Sequence, residues 1–95
     1  MLDTDRVLIR VFTHPVCTGC STAIRMAQKL SDQRDDVEMR VISLASARGR
    51  EAARAEGILS VPTVFVGSTR FVGVPRWDEL LAAVNGEQLN VMRET

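Results

Sequence analysis

The sequence has no surplus of either charge: Lys and Arg total 12, Asp and Glu total 12, and the net charge is zero. Binding to a phosphate backbone draws on a basic excess, so nucleic acid is not an expected partner. Lysine is nearly missing, since Lys29 stands alone and every other basic residue is arginine, a pattern of coding bias rather than of chemistry. Long apolar runs are missing too. The stretch Val7 to Phe12 is interrupted by Arg10 and is too short for a signal core or a membrane span. With the polar, acidic segment Met1 to Arg6 before it, the expectation is a cytoplasmic protein without membrane contact. Repeats, low-complexity tracts and linkers are absent. At 95 residues the chain has room for one domain, expected over 1–95 with a core of about 7–86 and a C-terminal tail at 87–95. Its 45% hydrophobic and 25% charged residues exclude a disordered chain.

Cysteine is scarce, and its placement is informative. The two cysteines are Cys17 and Cys20, separated by Thr18 and Gly19. A disulfide across so small a loop contributes only about 2 kcal/mol by loop entropy, before any strain. A pair this close in a cytosolic chain points to redox chemistry or metal binding rather than to a structural staple.

The chain reads as β-α-β-α-β-β-α. Val7 to Phe12 is β-branched and nearly all apolar, which predicts a strand buried on both faces. Pro15 breaks the pattern, and from Cys17 onward Ala23, Met26, Ala27 and Leu30 fall on one helical face. A second strand begins at Val37. Ser46 caps a helix over Ala47 to Glu56 that Gly57 ends. Thr63 to Val66 and Thr69 to Val72 flank Gly67-Ser68 and predict an antiparallel hairpin. Pro75 suits the first turn of a last helix, lined by Trp77, Leu80, Leu81 and Val84 and ended by Gly86. Leu89, Val91 and Met92 would anchor the tail. The first two strands, joined through a helix, are expected to be parallel. The whole is an α/β fold with a mixed four-stranded sheet between helices.

Cys17 falls where a buried strand gives way to a helix, whose free N–H groups favour a thiolate and lower the thiol's pKa. Cys20 lies one turn on, within bonding reach. The first sulfur is placed to attack a disulfide and the second to resolve the mixed disulfide. Pro62 opens a strand that it cannot support with a ladder hydrogen bond. A cis Val61–Pro62 bond would turn the Val61 backbone outward for pairing with an extended substrate, whereas a trans proline would simply start the strand. His14, the sole histidine, reads either as a tuner of the thiolate or, preferably, as an exposed loop residue. Thr18 and Gly19 are the other residues positioned to tune the pair. Arg48, Arg50 and Arg54 read as a solvated face balanced by Glu51 and Glu56.

Cys17-Thr18-Gly19-Cys20 after a strand, Gly57-Ile58-Leu59-Ser60-Val61-Pro62-Thr63, and Phe71-Val72-Gly73 before the last helix resemble the thioredoxin/glutaredoxin superfamily. The likeness is greatest to its small archaeal-type thioredoxin- or glutaredoxin-like members and covers Val7 to about Val84. It implies the thioredoxin-like fold, with Cys17 as nucleophile, Cys20 as resolving thiol, Pro62 in cis, and Val61 and Gly73 beside the substrate. It also implies a disulfide reductase as electron donor, protein disulfides as substrates and no cofactor. The expected state is a monomer. The chain departs from the thioredoxin pattern in its Thr-Gly dipeptide, in Val16 where thioredoxins carry tryptophan, and in Val11 where they bury an aspartate. Gly73-Val74-Pro75 replaces the Gly-Gly with which glutaredoxins close a glutathione site. Two alternatives remain at this level: glutathione-dependent glutaredoxin activity, or a metal or iron–sulfur cluster bound in a dimer. His14, Cys17 and Cys20 offer only three ligands, and a structural zinc site needs four.

Overall fold

The structure is a computed structural model that describes residues 6–94, with side chains described through Leu89. Strand β1 spans Val7–Thr13 and sits inside a sheet of order β2-β1-β3-β4. Strand β2, Val37–Ser43, runs parallel to β1 in a register that sets Val7 beside Val37 and Thr13 beside Ser43. Parallel neighbours need a crossover, and helix α1, Cys20–Gln33, supplies it. Strands β3, Thr63–Val66, and β4, Thr69–Val72, form the expected hairpin, and β3 lies antiparallel to β1. Gly67 turns the hairpin with φ +57°, a conformation that glycine adopts without steric cost.

The sheet carries a different core on each face. On one, Val7, Ile9, Val11, Val37, Val64 and Val66 pack against Ala23, Ala27 and Leu30 of α1 and against Leu80 and Val84 of helix α3, Trp77–Glu94. On the other, Phe12 and Phe65 meet edge to face beneath Ala53 of helix α2, Ala47–Ala55. The short α2 does not cover the whole of that face. Arg10 therefore lies in the open half of a strand read as buried on both sides, its guanidinium 4.6 Å above the Phe65 ring and 3.0 Å from Glu56. An aliphatic stem with a paired charged end can sit at such a boundary.

Three element boundaries differ from the sequence reading. Helix α1 begins at Cys20 with Gly19 as its N-cap, not at Cys17, because the turn after Pro15 takes up residues 15–19. Pro75 precedes α3 by two residues instead of opening its first turn. Helix α3 also runs through Gly86 to Glu94. Gly86 does not take the positive φ that a terminating glycine adopts, so it costs helix propensity without stopping the helix. Residues 87–94 are thus helical rather than a tail, with Leu89 exposed; the side chains of Val91 and Met92 lie outside the described residues.

Candidate functional site

One end of the sheet collects three loops. β1 ends at Thr13 and runs into residues 14–19. β3 begins at Thr63, opposite Phe12, and β4 ends at Val72, opposite Thr63. Register alone therefore brings the cysteine loop, Val61-Pro62 and Gly73-Val74 together.

The cysteine loop is built from its own backbone. The Cys17 N–H donates to the His14 carbonyl at 3.0 Å, and the Val16 N–H donates to His14 Nδ1 at 3.3 Å. The histidine ring is thus occupied in shaping the turn. Cys17 and Cys20 are joined in a disulfide with their Cα atoms 5.5 Å apart. Their burial is unequal: Cys20 is 4% exposed in the first turn of α1, while Cys17 is only partly covered. No side chain caps α1, so the N–H groups of its first turn are not taken up by a capping residue beside the disulfide. Thr18 is exposed on the loop.

Pro62 and Gly19 pack together. A methyl group placed on Gly19 would lie 3.5 Å from Pro62 Cδ and 3.0 Å from Val74 Cγ2. The Val61–Pro62 bond is cis, as the resemblance implied. The Pro62 carbonyl accepts from the Gly73 N–H at 2.8 Å, and Gly73 has φ +89°. Gly73 therefore acts through its backbone, holding the segment after β4 against the proline. The Thr63 hydroxyl donates to the Ser60 carbonyl at 2.7 Å and fixes the loop that enters β3.

Two features of the site were not drawn from the sequence. Val74, noted in the sequence only between Gly73 and Pro75, is the side chain that reaches Gly19. The surroundings of the disulfide are also apolar at the surface: Val16 is 82% exposed, Val74 43%, and Leu59, three residues before Pro62, 98%. Isolated apolar residues in loops carry no periodicity, so only their flanking motifs could have flagged them. Trp77 packs beside the α1–α3 core, in keeping with its place on the lined face of the last helix, with Lys29 Nζ 4.9 Å above its ring. Among the described residues, no three His, Cys, Asp or Glu side chains gather as a metal site. His14, Cys17 and Cys20 do not form the ligand set that the metal alternative needs.

No family model matches the chain. It is 35% identical over 83 residues to a protein named probable thioredoxin from Methanothermobacter thermautotrophicus, covering 85% of this chain and 95% of the relative. It is 31% identical over 82 residues to the thioredoxin of Methanocaldococcus jannaschii, covering 84% and 94%. The chain belongs to the thioredoxin family. Solved thioredoxins share its fold. A mutant thioredoxin from Halobacterium salinarum superposes with a TM-score of 0.73 at 22% identity, over 87% of this chain and 76% of that one. Oxidized mitochondrial thioredoxin 3 of Saccharomyces cerevisiae gives 0.71 at 16% identity, over 84% and 77%. With a bonded cysteine pair at the start of α1, this member of the thioredoxin family is a dithiol–disulfide oxidoreductase whose redox pair is Cys17 and Cys20. The glutathione and metal alternatives are not favoured. No helix among the described residues is long and apolar enough to cross a membrane.

Proposed function

We propose that the reduced chain breaks disulfides in other proteins, with Cys17 as nucleophile and Cys20 as resolving thiol. The observation that carries this division is the unequal burial of the two bonded residues. A substrate disulfide can approach the partly exposed Cys17 but not Cys20. The Cys17 thiolate attacks one substrate sulfur, the substrate S–S bond breaks, and the departing thiolate takes a proton. The Cys20 thiolate then attacks Cys17 Sγ and releases the second substrate thiol. The substrate gains two electrons and two protons, and the chain is left with the Cys17–Cys20 disulfide. A disulfide reductase in a reducing compartment such as the cytoplasm returns those two electrons.

Val61 presents its backbone to an extended substrate segment, beside Pro62 and Gly73, which are hydrogen-bonded to each other through the Pro62 carbonyl and the Gly73 N–H, and Val16 and Val74 supply apolar contact on either side. Thr18 and Gly19 set the shape of the loop, and His14 steadies it. The uncapped N–H groups at the start of α1 favour the Cys17 thiolate. Turnover of insulin disulfides with dithiothreitol as donor tests this reading. The native chain is expected to turn over and Cys17→Ser to be inactive. Alkylation of the reduced chain at neutral pH should modify Cys17 before Cys20. Equal modification, or activity in Cys17→Ser, would reject the roles.

A further inference from the structure

Strand β4 is an edge of the sheet: β3 pairs with one side of it, and among the described residues no strand pairs with the other. The hairpin turn decides which of its backbone groups are open. A two-residue turn puts Val66 and Thr69 in a hydrogen-bonded pair, and the pattern then alternates, so Phe71 and Gly73 also turn toward β3. The Gly73 N–H does so by donating to the Pro62 carbonyl. Arg70 and Val72 therefore turn both N–H and C=O to the open side. Among the described residues no hydrogen bond takes up these four groups.

The side chains of the same two residues share a face. Register sets Arg70 beside Phe65 and Val72 beside Thr63, on the face of the sheet that α2 partly covers. Arg10 and Arg40 lie in the same row, next to Phe65 and next to each other. Arg10 is paired with Glu56 and Arg40 with Glu38, whereas Arg70 has no carboxylate partner among the described residues. Its guanidinium lies 4.9 Å over the Phe65 ring, with that of Arg10 at 4.6 Å, and it donates to the Glu56 carbonyl. Two guanidinium groups thus share one ring and one carboxylate. Val72, two residues along the open edge, is 69% exposed.

We propose that this edge takes up an extended segment of a partner protein as a fifth, antiparallel strand, with an acidic residue against Arg70 and an apolar residue two positions before it against Val72. In that register each facing pair exchanges both N–H and C=O bonds, so every open group on β4 is used. The incoming carboxylate supplies the charge that Arg70 lacks, and the apolar side chain covers Val72. A second copy of β4 meets these needs less well: paired about Phe71, it sets Val72 against Arg70 and brings no carboxylate. Arginine on an edge strand commonly guards against pairing, but Arg70 is drawn inward over Phe65, which leaves the ladder side of β4 clear. Gly73, with φ +89°, ends the strand, so the paired stretch is short and charge decides which segment is held. The edge lies to the side of the sheet, whereas the disulfide lies off its end, so this pairing does not depend on the roles of Cys17 and Cys20.

Titration of the oxidised native chain with the capped peptide Thr-Thr-Val-Thr-Glu-Thr, followed by amide NMR, tests the proposal with neither sulfur able to react. Saturable shifts centred on the Arg70 and Val72 amides are expected at peptide concentrations up to about 10 mM. The same peptide with lysine in place of glutamate should bind about tenfold more weakly, a comparison that requires no variant to fold. R70E should reverse the order and hold the lysine peptide more tightly than the glutamate one. No saturable shift at Arg70 and Val72, shifts centred instead on Val61 and the cysteine loop, or Arg70 and Val72 shifts that follow protein concentration without peptide would overturn the edge as a site for a partner segment. Equal binding of the two peptides, or an unchanged order in R70E, would overturn the acidic preference.

Discussion

At the scale of single residues, the site divides its work between two sulfurs of unequal access and a rim that touches the substrate. Cys20→Ser keeps the attacking thiol and removes the resolving one. Mixed disulfides with protein substrates should accumulate on a reducing-agent-free gel, and turnover should fall on the order of 100-fold. Full activity in Cys20→Ser would mean that a monothiol route carries the reaction. Val74 offers a different kind of test, because it belongs to the rim and not to the chemistry. Its Cγ2 faces Gly19, and 43% of the residue is exposed. Val74→Ser removes apolar contact worth about 1–1.5 kcal/mol, so KM for a protein disulfide should rise about tenfold. Reduction of a small soluble disulfide, which does not span the rim, should change less than about twofold. Parallel losses for both substrates would place Val74 in the fold of the loop rather than in recognition.

At the scale of elements, glycines separate what is tight from what is merely permitted. Gly49, inside α2, is buried against β2, and an added methyl group would overlap the Ser43 carbonyl oxygen. Backbone cannot step aside as a flexible side chain can, so Gly49→Ala should destabilise by about 1–3 kcal/mol in urea unfolding. Gly86, inside α3, meets nothing within 4 Å of an added methyl group and is exposed. Gly86→Ala should therefore stabilise by about 0.5–1 kcal/mol. The opposite signs follow from surroundings that the sequence does not display, and they mark the limit of reading it. The hairpin around Gly67-Ser68 and the Ser46 cap of α2 were legible because local chemistry sets them. The Ser46 hydroxyl indeed accepts from the Gly49 N–H at 2.9 Å. The end of α3 was not legible, because a glycine stops a helix only where the chain takes a positive φ. The start of α1 was misread by three residues because the loop around the disulfide borrows helical spacing without helical bonds.

At the scale of the whole molecule, the two ends of the sheet do different work. The cysteines with Val61 and Pro62 occupy the end at Thr13, Thr63 and Val72. Their assembly there was legible from Cys17, Cys20 and Pro62 as a motif; strand order was not, since pairing of β1 with β3 rather than β4 is decided only by tertiary packing. The far end is held by Arg34, at the C-cap of α1. Its guanidinium donates twice to the Asp36 carboxylate, at 3.0 and 2.9 Å, and once to the Asn85 side chain of α3 at 2.7 Å. One residue thus ties α1, the entry to β2 and α3. The hydrogen bonds from Arg34 hold the Asp36 carboxyl below the ordinary carboxylate range, against the opposing effect of partial burial. Arg34 is shifted upward by the same contact and stays charged throughout. The sign follows from linkage. A carboxyl with a lowered folded-state pKa contributes stability that is complete above its unfolded value of about 3.9 and is lost as pH falls through the folded value. Both side chains keep about a quarter of their surface in solvent, with exposures of 26% and 29%, so screening makes the contribution modest. Asp36→Asn should cost about 0.5–1 kcal/mol at pH 7 and progressively less as pH falls through the folded-state pKa, where the native carboxyl is protonated too. Urea midpoints of the two proteins should therefore converge as pH is lowered from 5 to about 2.5. A gap that stayed constant over that interval would assign the cost to lost packing and remove the ion pair from the stability of this end of the sheet.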